Sequence, residues 1–225
     1  MRPIVKKREP ATLTETRAAP TTDLSATGRA RTAFDQIDKQ RARERLAGEQ
    51  GWLCAFCMQR IDPGKVDARG EPVVKIAHRT PIDVDPSKAL SWTNLLGSCD
   101  GGQRSGWRTK SCDAAQGSTA LTVDPTLAGS CALLSYELRT KPEKGLYITS
   151  TNAELRRDVE GTLGLNSGDL PALRLVAWNR FIKDLQARHP KAYGKQARRD
   201  FLATWARPET GRLPVMLGVI EAKVR

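Results

Sequence analysis

Two pairs of cysteines decide the fold of this chain. Leu53-Cys-Ala-Phe-Cys57 carries the first pair, and Ser98-Cys-Asp-Gly-Gly102 and Ser111-Cys-Asp113 carry the second. Two thiolates on one tight turn can bind a single ion, and a glycine-rich segment lets the later pair fold back toward it. The pattern predicts a structural zinc site, because four thiolates leave no open coordination position. The predicted ligands are Cys54, Cys57, Cys99 and Cys112.

The cysteines have other interpretations, namely an iron–sulfur cluster or four ordinary buried thiols. The chain has five cysteines, an odd number, and no apolar segment of a secretory signal follows its basic N-terminus. Both features favour metal binding in a reducing compartment over disulfides, so we expect a cytoplasmic protein. The fifth cysteine, Cys131, lies in an apolar, strand-like run and is predicted to be a small core residue.

The chain is strongly basic, with a formal net charge of +12. Such a surface attracts polyanions, of which nucleic acid is the commonest in a cytoplasm, although a merely basic protein is the plainer interpretation. Between Pro171 and Arg212 the basic residues alternate with aromatic ones, which suits nucleic acid, but aromatic residues at helical spacing are more typical of a core. No apolar run reaches the roughly 18 residues that a membrane span needs, so we expect no membrane partner.

The pattern of residues predicts an α+β chain in three parts. Residues 1–25 are rich in Thr, Ala and Pro and are interpreted as an extended, partly ordered arm. Residues 26–118 hold one long helix, from about Arg29 to Gln50, and then the zinc-bound core. Residues 119–225 hold a β-hairpin followed by mostly helical structure.

Smaller elements are predicted from local patterns. Pro72-Val-Val-Lys-Ile76 is β-branched and indicates a strand, and Ser91 to Gly97 indicates a short helix that Ser91 can cap. The later strands are predicted at residues 121–125, 131–138 and 145–150, and the later helices at residues 152–163, 167–188, 195–205 and 215–224.

Three polar residues lie in or beside the cysteine frame: His78 after the predicted strand, Asn94, and Asp113 next to the last cysteine. Their order resembles that of the HNH, or ββα-metal, nucleases. The resemblance implies that His78 is the general base, that Asn94 anchors the loop and that Asp113 binds a catalytic Mg²⁺ or Mn²⁺. The alternative to a catalytic role for a lone histidine is a purely structural one. Chemically, phosphodiester hydrolysis needs a base for water and a cation for the developing charge, which fits this residue set.

Ala77 departs from the HNH pattern, in which the residue before the base is Glu, Asp or His and binds the metal. A methyl group cannot coordinate a cation. Three interpretations stay open. In the first, Asp113 holds the ion together with a carboxylate such as Asp83 or Asp85. In the second, the natural protein is inactive. In the third, which we prefer, Ala77 replaces an acidic residue.

The closer resemblance is to the HNH nuclease subunit of Septu and retron-associated anti-phage defence systems. It covers nearly the whole chain, although only the middle third is specific. It rests on Met1-Arg-Pro-Ile4, Lys6-Lys-Arg-Glu-Pro10, Cys54-Ala-Phe-Cys57, Ala77-His-Arg-Thr-Pro81, Trp92-Thr-Asn-Leu95, Ser98-Cys-Asp-Gly-Gly102, Ser111-Cys-Asp-Ala-Ala-Gln-Gly117 and Leu163-Gly-Leu-Asn166 with Leu170 and Arg174. Gln116 departs from it, since a lysine is expected there.

The resemblance implies a zinc-stabilised ββα-metal nuclease core with an N-terminal helix and a C-terminal, mostly helical region. It also implies a defence nuclease that works with a partner ATPase of the SMC/ABC type, on DNA or RNA, tRNA included. The alternative is a catalytically inactive, zinc-stabilised module that binds nucleic acid or docks on the ATPase. Candidate contacts to nucleic acid are Arg79, Arg104, Arg108 and Lys110.

Overall fold

In a computed structural model the protein is a mixed α+β chain with two small antiparallel sheets. The structure describes residues 1–102, 109–191, 194–207 and 210–225. This architecture confirms the α+β class predicted from the sequence. No helix among these residues combines the length and the apolar character that crossing a membrane requires.

Helices lie before, between and after the two sheets. The helices are α1 (Ala11–Ala18), α2 (Thr27–Asp35), α3 (Lys39–Glu49), α4 (Asp113–Gln116), α5 (Ala128–Ala132), α6 (Ala153–Arg157), α7 (Leu170–Arg188), α8 (Lys195–Trp205) and α9 (Leu217–Val224). The strands are β1 (Lys75–His78), β2 (Leu95–Ser98), β3 (Leu134–Arg139) and β4 (Gly145–Ser150). Because each sheet has only two strands, both sheets depend on packing against helices and core.

The first sheet pairs β1 with β2, so that His78 lies opposite Leu95 and Ala77 opposite Leu96. Side chains alternate along a strand, and Ala77 is therefore buried in the main core whereas Ile76 and His78 line a cleft on the other side. The strand begins later than predicted. The preceding residues form a turn of their own, in which the N–H of Val73 donates to the Lys65 carbonyl (3.1 Å).

The helix predicted over residues 91–97 is wrong except for a single 3₁₀ turn, Trp92–Asn94. From Leu95 onward the chain becomes strand β2, because β1 supplies ladder partners for all four of its residues. The short apolar run was ambiguous between helix and strand, and the pairing partner decided it.

The long helix predicted from Arg29 to Gln50 is also wrong, since it is broken into α2 and α3. The Asp38 side chain accepts a hydrogen bond from the backbone N–H of Arg41 (2.9 Å) and thereby caps a new helix. Both helices contribute to a small core with residues of the first sheet and the segment before it; its buried members are Leu13, Ala33, Ile37, Ala42, Leu46, Leu90, Trp92 and Leu95.

The first 25 residues are more ordered than predicted. Met1 and Ile4 are buried in the main core, and the N–H of Ile4 donates to the Pro125 carbonyl (2.7 Å). Residues 1–10 form neither helix nor strand, and helix α1 follows them, with Leu13 as its buried contact. Leu13 is the one large apolar residue on α1 and gives almost no helical periodicity, which explains why the sequence pattern did not indicate this helix.

The C-terminal half agrees with its predicted elements except at residues 121–125, where the predicted strand is wrong. Strands β3 and β4 form the predicted antiparallel pair, and the helix predicted over residues 152–163 is present as α6 continued by a π-turn at Asp158–Thr162. Helices α7 and α8 match their predicted spans, and α9 begins two residues later than expected. Cys131 is buried as predicted, but it lies on α5 rather than on a strand.

The aromatic residues of α7 and α8 pack against one another. The ring centroids of Trp178 and Phe181 are 5.8 Å apart, and those of Phe181 and Phe201 are 5.4 Å apart. Phe181 and Phe201 are buried in a cluster with Ile220 and half-buried Trp205. The described aromatic rings of α7 and α8 therefore lie in the core or pack against it and are not free platforms for stacking bases. Tyr193, which belongs to the same sequence pattern, lies outside the described residues.

Candidate functional site

The first cysteine pair lies on a tight turn. The N–H of Cys54 donates to the Gln59 carbonyl (2.8 Å), and the N–H of Met58 donates to the Cys54 carbonyl (3.1 Å). Met58 adopts a left-handed φ of 64°, which turns the chain immediately after Cys57. The turn delivers both sulfur atoms to a single cluster.

The second pair is brought together by a closed loop. The N–H of Ser111 donates to the Gly101 carbonyl (2.9 Å). Gly101 has a φ of 61°, and a Cβ there would lie 2.0 Å from the Ser111 carbonyl oxygen, so only glycine fits. The N–H of Cys112 donates to the Leu163 carbonyl (2.8 Å), which fixes the far end of the loop. As a result the sulfurs of Cys99 and Cys112 are 3.7 Å apart.

The four predicted ligands, Cys54, Cys57, Cys99 and Cys112, form one cluster in which every sulfur lies within 4.8 Å of the others. The Cys54–Cys112 distance is 3.8 Å and the Cys57–Cys99 distance is 3.7 Å. A tetrahedral zinc with Zn–S bonds of about 2.3 Å has sulfur–sulfur edges of about 3.8 Å. The cluster therefore has the size and the donor set to hold zinc, as the spacing predicted.

The electrostatic interactions among the four cysteine sulfurs also favour a bound cation. Burial alone raises the pKa of the Cys54 thiol, but its sulfur neighbours outweigh this and lower the pKa well below its usual range. The thiolate so formed then raises the pKa of Cys112 well above its usual range. Four thiolates cannot coexist in one buried site without a bound cation, and a divalent ion removes this conflict. The hydroxyl of Ser98, 3.7 Å from the Cys54 sulfur, is a further polar neighbour.

A cleft of about 350 Å³ opens beside the cysteine cluster, on the face of β1 opposite Ala77. It holds both His78 and Asp113, which lie 35 residues apart in the sequence. The lining residues are Arg31, Phe34, Asp35, Ile76, His78, Pro81, Ile82, Asp83, Asp113, Gly117 and Ser118. The cleft thus combines a histidine, carboxylates and an arginine in one concave surface.

The imidazole of His78 is held in one orientation. Its Nε2 lies 3.0 Å from the carbonyl oxygen of Ala89, and the ring of Phe34 packs edge-on at 4.6 Å between centroids. A carbonyl only accepts, so Nε2 carries the proton of the neutral ring and Nδ1 carries the lone pair. Burial lowers the pKa of His78, the charge of Arg31 acts in the same direction, and the Ala89 bond opposes both. The neutral form required of a base is favoured near pH 7.

Asn94 is where the HNH resemblance implies a loop anchor, and its side chain bonds to the loop that follows His78. Its amide is buried and donates to the Thr80 and Lys88 carbonyls, and its Oδ1 accepts from the Thr80 N–H. The carbonyl that orients His78 belongs to Ala89, the residue after Lys88. Asn94 therefore fixes the backbone on both sides of the histidine pocket.

Asp113 and Gln116 lie three residues apart on α4. Burial, with the nearby Cys54 thiolate, raises the pKa of Asp113 to about 6. The Gln116 Nε2 donates toward three carbonyl oxygens, those of His78 (2.9 Å), Arg79 (3.1 Å) and Thr119 (3.1 Å). Sequence reasoning noted Gln116 only as a departure from an expected lysine. The structure shows that it ties the helix of Asp113 to the strand of His78.

The structure distinguishes the two additional carboxylates considered for the ion. Asp83 lines the cleft, but both its oxygens bond to Arg31 (2.8 and 2.7 Å), and one also accepts from Ser118. Asp85 is not among the lining residues and instead caps the 3₁₀ turn that follows it. Asp113 thus remains the cleft carboxylate best placed for a cation, and Arg31 is a cleft cation that the sequence pattern did not reveal.

The candidate contacts to nucleic acid have different environments. Arg79 is half-buried, with its Nε 3.2 Å from an Asp124 oxygen and its Nη1 donating to the Leu121 carbonyl (2.9 Å). Lys110 is exposed. Arg104 and Arg108 lie outside the residues that the structure describes. Arg79 therefore has a structural role in joining the histidine loop to residues 121–124, whereas Lys110 is free to meet a polyanion.

No protein-family model matches the chain, and no curated protein matches it.

Proposed function

We propose that this chain is a metal-dependent endonuclease of the HNH type that hydrolyses phosphodiester bonds of nucleic acid. The observation that carries the proposal is the cleft in which His78 and Asp113 meet, next to four thiols with the spacing of a zinc tetrahedron. The basic net charge of +12 supports a polyanionic substrate.

In the proposed reaction Nδ1 of His78 takes a proton from the attacking water, while the Ala89 carbonyl keeps Nε2 protonated and the ring in place. Asp113 would hold Mg²⁺ or Mn²⁺, and the ion would offset charge on the scissile phosphate and the leaving oxygen. Such ions keep several water ligands, so one or two carboxylates are sufficient to hold them. Arg31, at the same cleft, is a cation of the right type for a phosphate oxygen once it releases Asp83.

The zinc site has a structural role in this proposal. Cys99 follows β2 directly, and Cys112 immediately precedes Asp113. A bound zinc would therefore fix the Ser98 end of the sheet, at the opposite end of β1 from His78, and the start of the helix that carries Asp113. By the resemblance described above, the nuclease acts in anti-phage defence together with an SMC/ABC-type ATPase.

The proposal is tested by incubating the zinc-loaded protein with plasmid DNA, single-stranded DNA and tRNA, each with Mg²⁺, Mn²⁺ or a chelator of these ions. We expect cleavage of at least one substrate, dependent on the divalent ion and reduced at least about 100-fold in Asp113→Asn. Asp169→Asn, which changes an aspartate just before α7, is the matched control and should cleave normally.

Ala77 favours a second candidate function, a zinc-stabilised module that binds nucleic acid or the ATPase without cleaving. Its methyl group is buried in the main core, on the face of β1 away from the cleft, so position 77 supplies no ligand there. Of the other described carboxylates that line the cleft, Asp83 is paired with Arg31 and Asp35 with Lys39. The two candidates are distinguished by measuring binding and cleavage of the same nucleic acids by the zinc-loaded protein. Under the nuclease proposal the protein cleaves at least one substrate that it binds when Mg²⁺ or Mn²⁺ is present. A folded, zinc-loaded protein that binds nucleic acid but cleaves no substrate favours the inactive module.

A further inference from the structure

A second concave surface, of about 490 Å³, lies between α7, the end of α8 and the segment before α9. Helix α7 lines it with Leu173, Val176, Ala177 and Arg180, which follow the spacing i, i+3, i+4, i+7 of a single helix face. The remaining lining residues are Gln59, Arg60, Trp205, Pro214, Val215 and Met216. We refer to this surface as the α7 groove.

The α7 groove is an apolar surface that faces solvent. Val176 is 63% exposed, Val215 is 40% exposed and Leu173 is 37% exposed. The other face of α7 is already used, because Leu170, Phe181 and Leu185 are buried in the core. Helix α7 is therefore apolar on two faces, and one of them is uncovered in the part of the chain that the structure describes. Clustered exposed apolar side chains of this kind mark sites of interaction.

The rim of the groove is positively charged. Among the residues that the structure describes, the Arg60 guanidinium donates to backbone carbonyls, those of Gly51, Trp52 and Leu213, and has no carboxylate partner. Arg180 is highly exposed, with its closest carboxylate oxygen, on Asp184, 3.9 Å away. Within the described residues no carboxylate lines the groove. An apolar centre between arginines is complementary to a ligand with apolar residues flanked by acidic ones.

The groove is continuous with the first cysteine turn. Gln59 and Arg60, which form part of its wall, follow Cys57 by two and three residues. Its floor residue Met216 donates its backbone N–H to the Met58 carbonyl (3.1 Å). A ligand seated in the groove therefore rests on the same turn that supplies two of the candidate zinc ligands.

We propose that the α7 groove binds an acidic amphipathic helix of a partner protein, with the apolar face of that helix against Val176 and Val215 and its acidic flanks near Arg60 and Arg180. The apolar lining argues against nucleic acid as the occupant, since its one aromatic ring, Trp205, is half-buried and donates its indole N–H to Asp184 (3.0 Å). The inference does not depend on the nuclease proposal, because no groove residue lines the cleft of His78.

The test uses the full-length, zinc-loaded protein and two fluorescently labelled synthetic helical peptides. Both carry leucine at i, i+3, i+4 and i+7, and they differ only in having glutamate or lysine on the flanks. We expect the acidic peptide to bind at least about tenfold more tightly than the basic one, a difference of about 1.4 kcal/mol. Val176→Glu should reduce that affinity at least about tenfold. Val66→Glu, at an equally exposed valine outside the groove, should leave it unchanged.

Several outcomes would overturn the inference. They are failure of the acidic peptide to bind, equal binding of the two peptides, equal effects of the two valine variants, and displacement of the acidic peptide by single-stranded DNA. Self-association of the protein that Val176→Glu abolishes would instead assign the groove to a second copy of this chain. Because Val176 is exposed, its variant should keep a normal circular dichroism spectrum and zinc content. Nucleic-acid cleavage should also be unchanged in it, which separates this test from that of the nuclease.

Discussion

Asn94 and Thr80 form a reciprocal pair of hydrogen bonds that closes the loop after His78. The backbone N–H of Thr80 donates to the Asn94 Oδ1 (2.8 Å), and the Asn94 Nδ2 donates back to the Thr80 carbonyl (2.9 Å). A third bond joins Nδ2 to the carbonyl of Lys88 (3.1 Å), one residue before the carbonyl that orients the imidazole. The position of His78 thus depends on a residue that is adjacent only in space.

Removing the hydrogen bonds of the Asn94 side chain should both destabilise the protein and slow the proposed reaction. In Asn94→Ala the Thr80 N–H and two carbonyls lose their partners in a buried site, so we expect the free energy of unfolding to fall by about 3 kcal/mol. Urea titration measures the change. Asn179→Ala, at an exposed position on α7, is the control and should alter stability by less than about 0.5 kcal/mol. Equal effects of the two substitutions would contradict the anchoring role.

The cysteine cluster should bind a single zinc ion on which the middle region depends. Elemental analysis should find zinc in the purified protein, and a strong chelator should release it and unfold the segment between the two pairs, because metal binding and folding are coupled. Cys112→Ser should lose most of the metal. Cys131→Ser, at the buried cysteine outside the cluster, should retain it. A native protein that contains no zinc, or in which both variants behave alike, would refute the assignment.

The stability of the protein should depend more on the hydrogen-bonding capacity of the side chain at position 116 than on its size. Gln116→Met keeps the volume but removes the side-chain donor to the carbonyls of His78, Arg79 and Thr119, of which Arg79 keeps the Leu121 N–H, so we expect a loss of about 2 kcal/mol in unfolding free energy. Gln116→Lys supplies three N–H donors for the three carbonyls and should lose less. The exposed Gln196→Met is the control. Thermal or urea denaturation measures the unfolding free energy of each variant. Equal losses of stability in the Met and Lys variants would argue against a hydrogen-bonding role for Gln116.

The pKa of His78 should be below its ordinary value of 6.5, because burial and the charge of Arg31 disfavour the imidazolium. Below pH 6.5 the unfolded chain therefore binds more protons at this residue than the folded one, so stability falls as the pH falls and is unaffected by His78 above 6.5. Cleavage should rise with pH and level off below pH 6.5, since only the neutral ring accepts a proton.

The measurement is an NMR titration of the His78 ring, identified by comparison with His78→Ala. Arg31→Gln should raise the pKa, because it removes a nearby positive charge and frees the Asp83 carboxylate. A pKa at or above 6.5 in the unaltered protein would show that the ring is more solvated or more strongly paired than the structure indicates.

The sequence predicted the clustering of the four cysteines because short spacing and glycine content are local properties. Cys54 and Cys57 share one turn, and Gly101 is needed where the later loop approaches Ser111. The later helices were predictable for the same reason, since their apolar spacing and breaking residues lie within each segment. His189, for example, ends α7 just before a proline, as predicted.

The errors arose where a distant partner or one polar contact decided the structure. Asp38 divides the first long helix by capping, and β1 converts residues 95–98 from helix to strand. At the site, neither the tie from Gln116 to His78 nor the engagement of Asp83 by Arg31 leaves a signal in the sequence, because each joins residues that are far apart in the chain. Such pairings become visible only in the folded structure.

The role of His78 as the base of the proposed nuclease can be tested against the second histidine of the chain. Cleavage rates with Mg²⁺ or Mn²⁺ should be measured for His78→Ala and for His189→Ala, whose side chain lies at the exposed end of α7. If His78 is the base, His78→Ala should lose at least about 100-fold in rate and His189→Ala should keep its rate. Equal rates in the two folded, zinc-loaded variants would contradict that role.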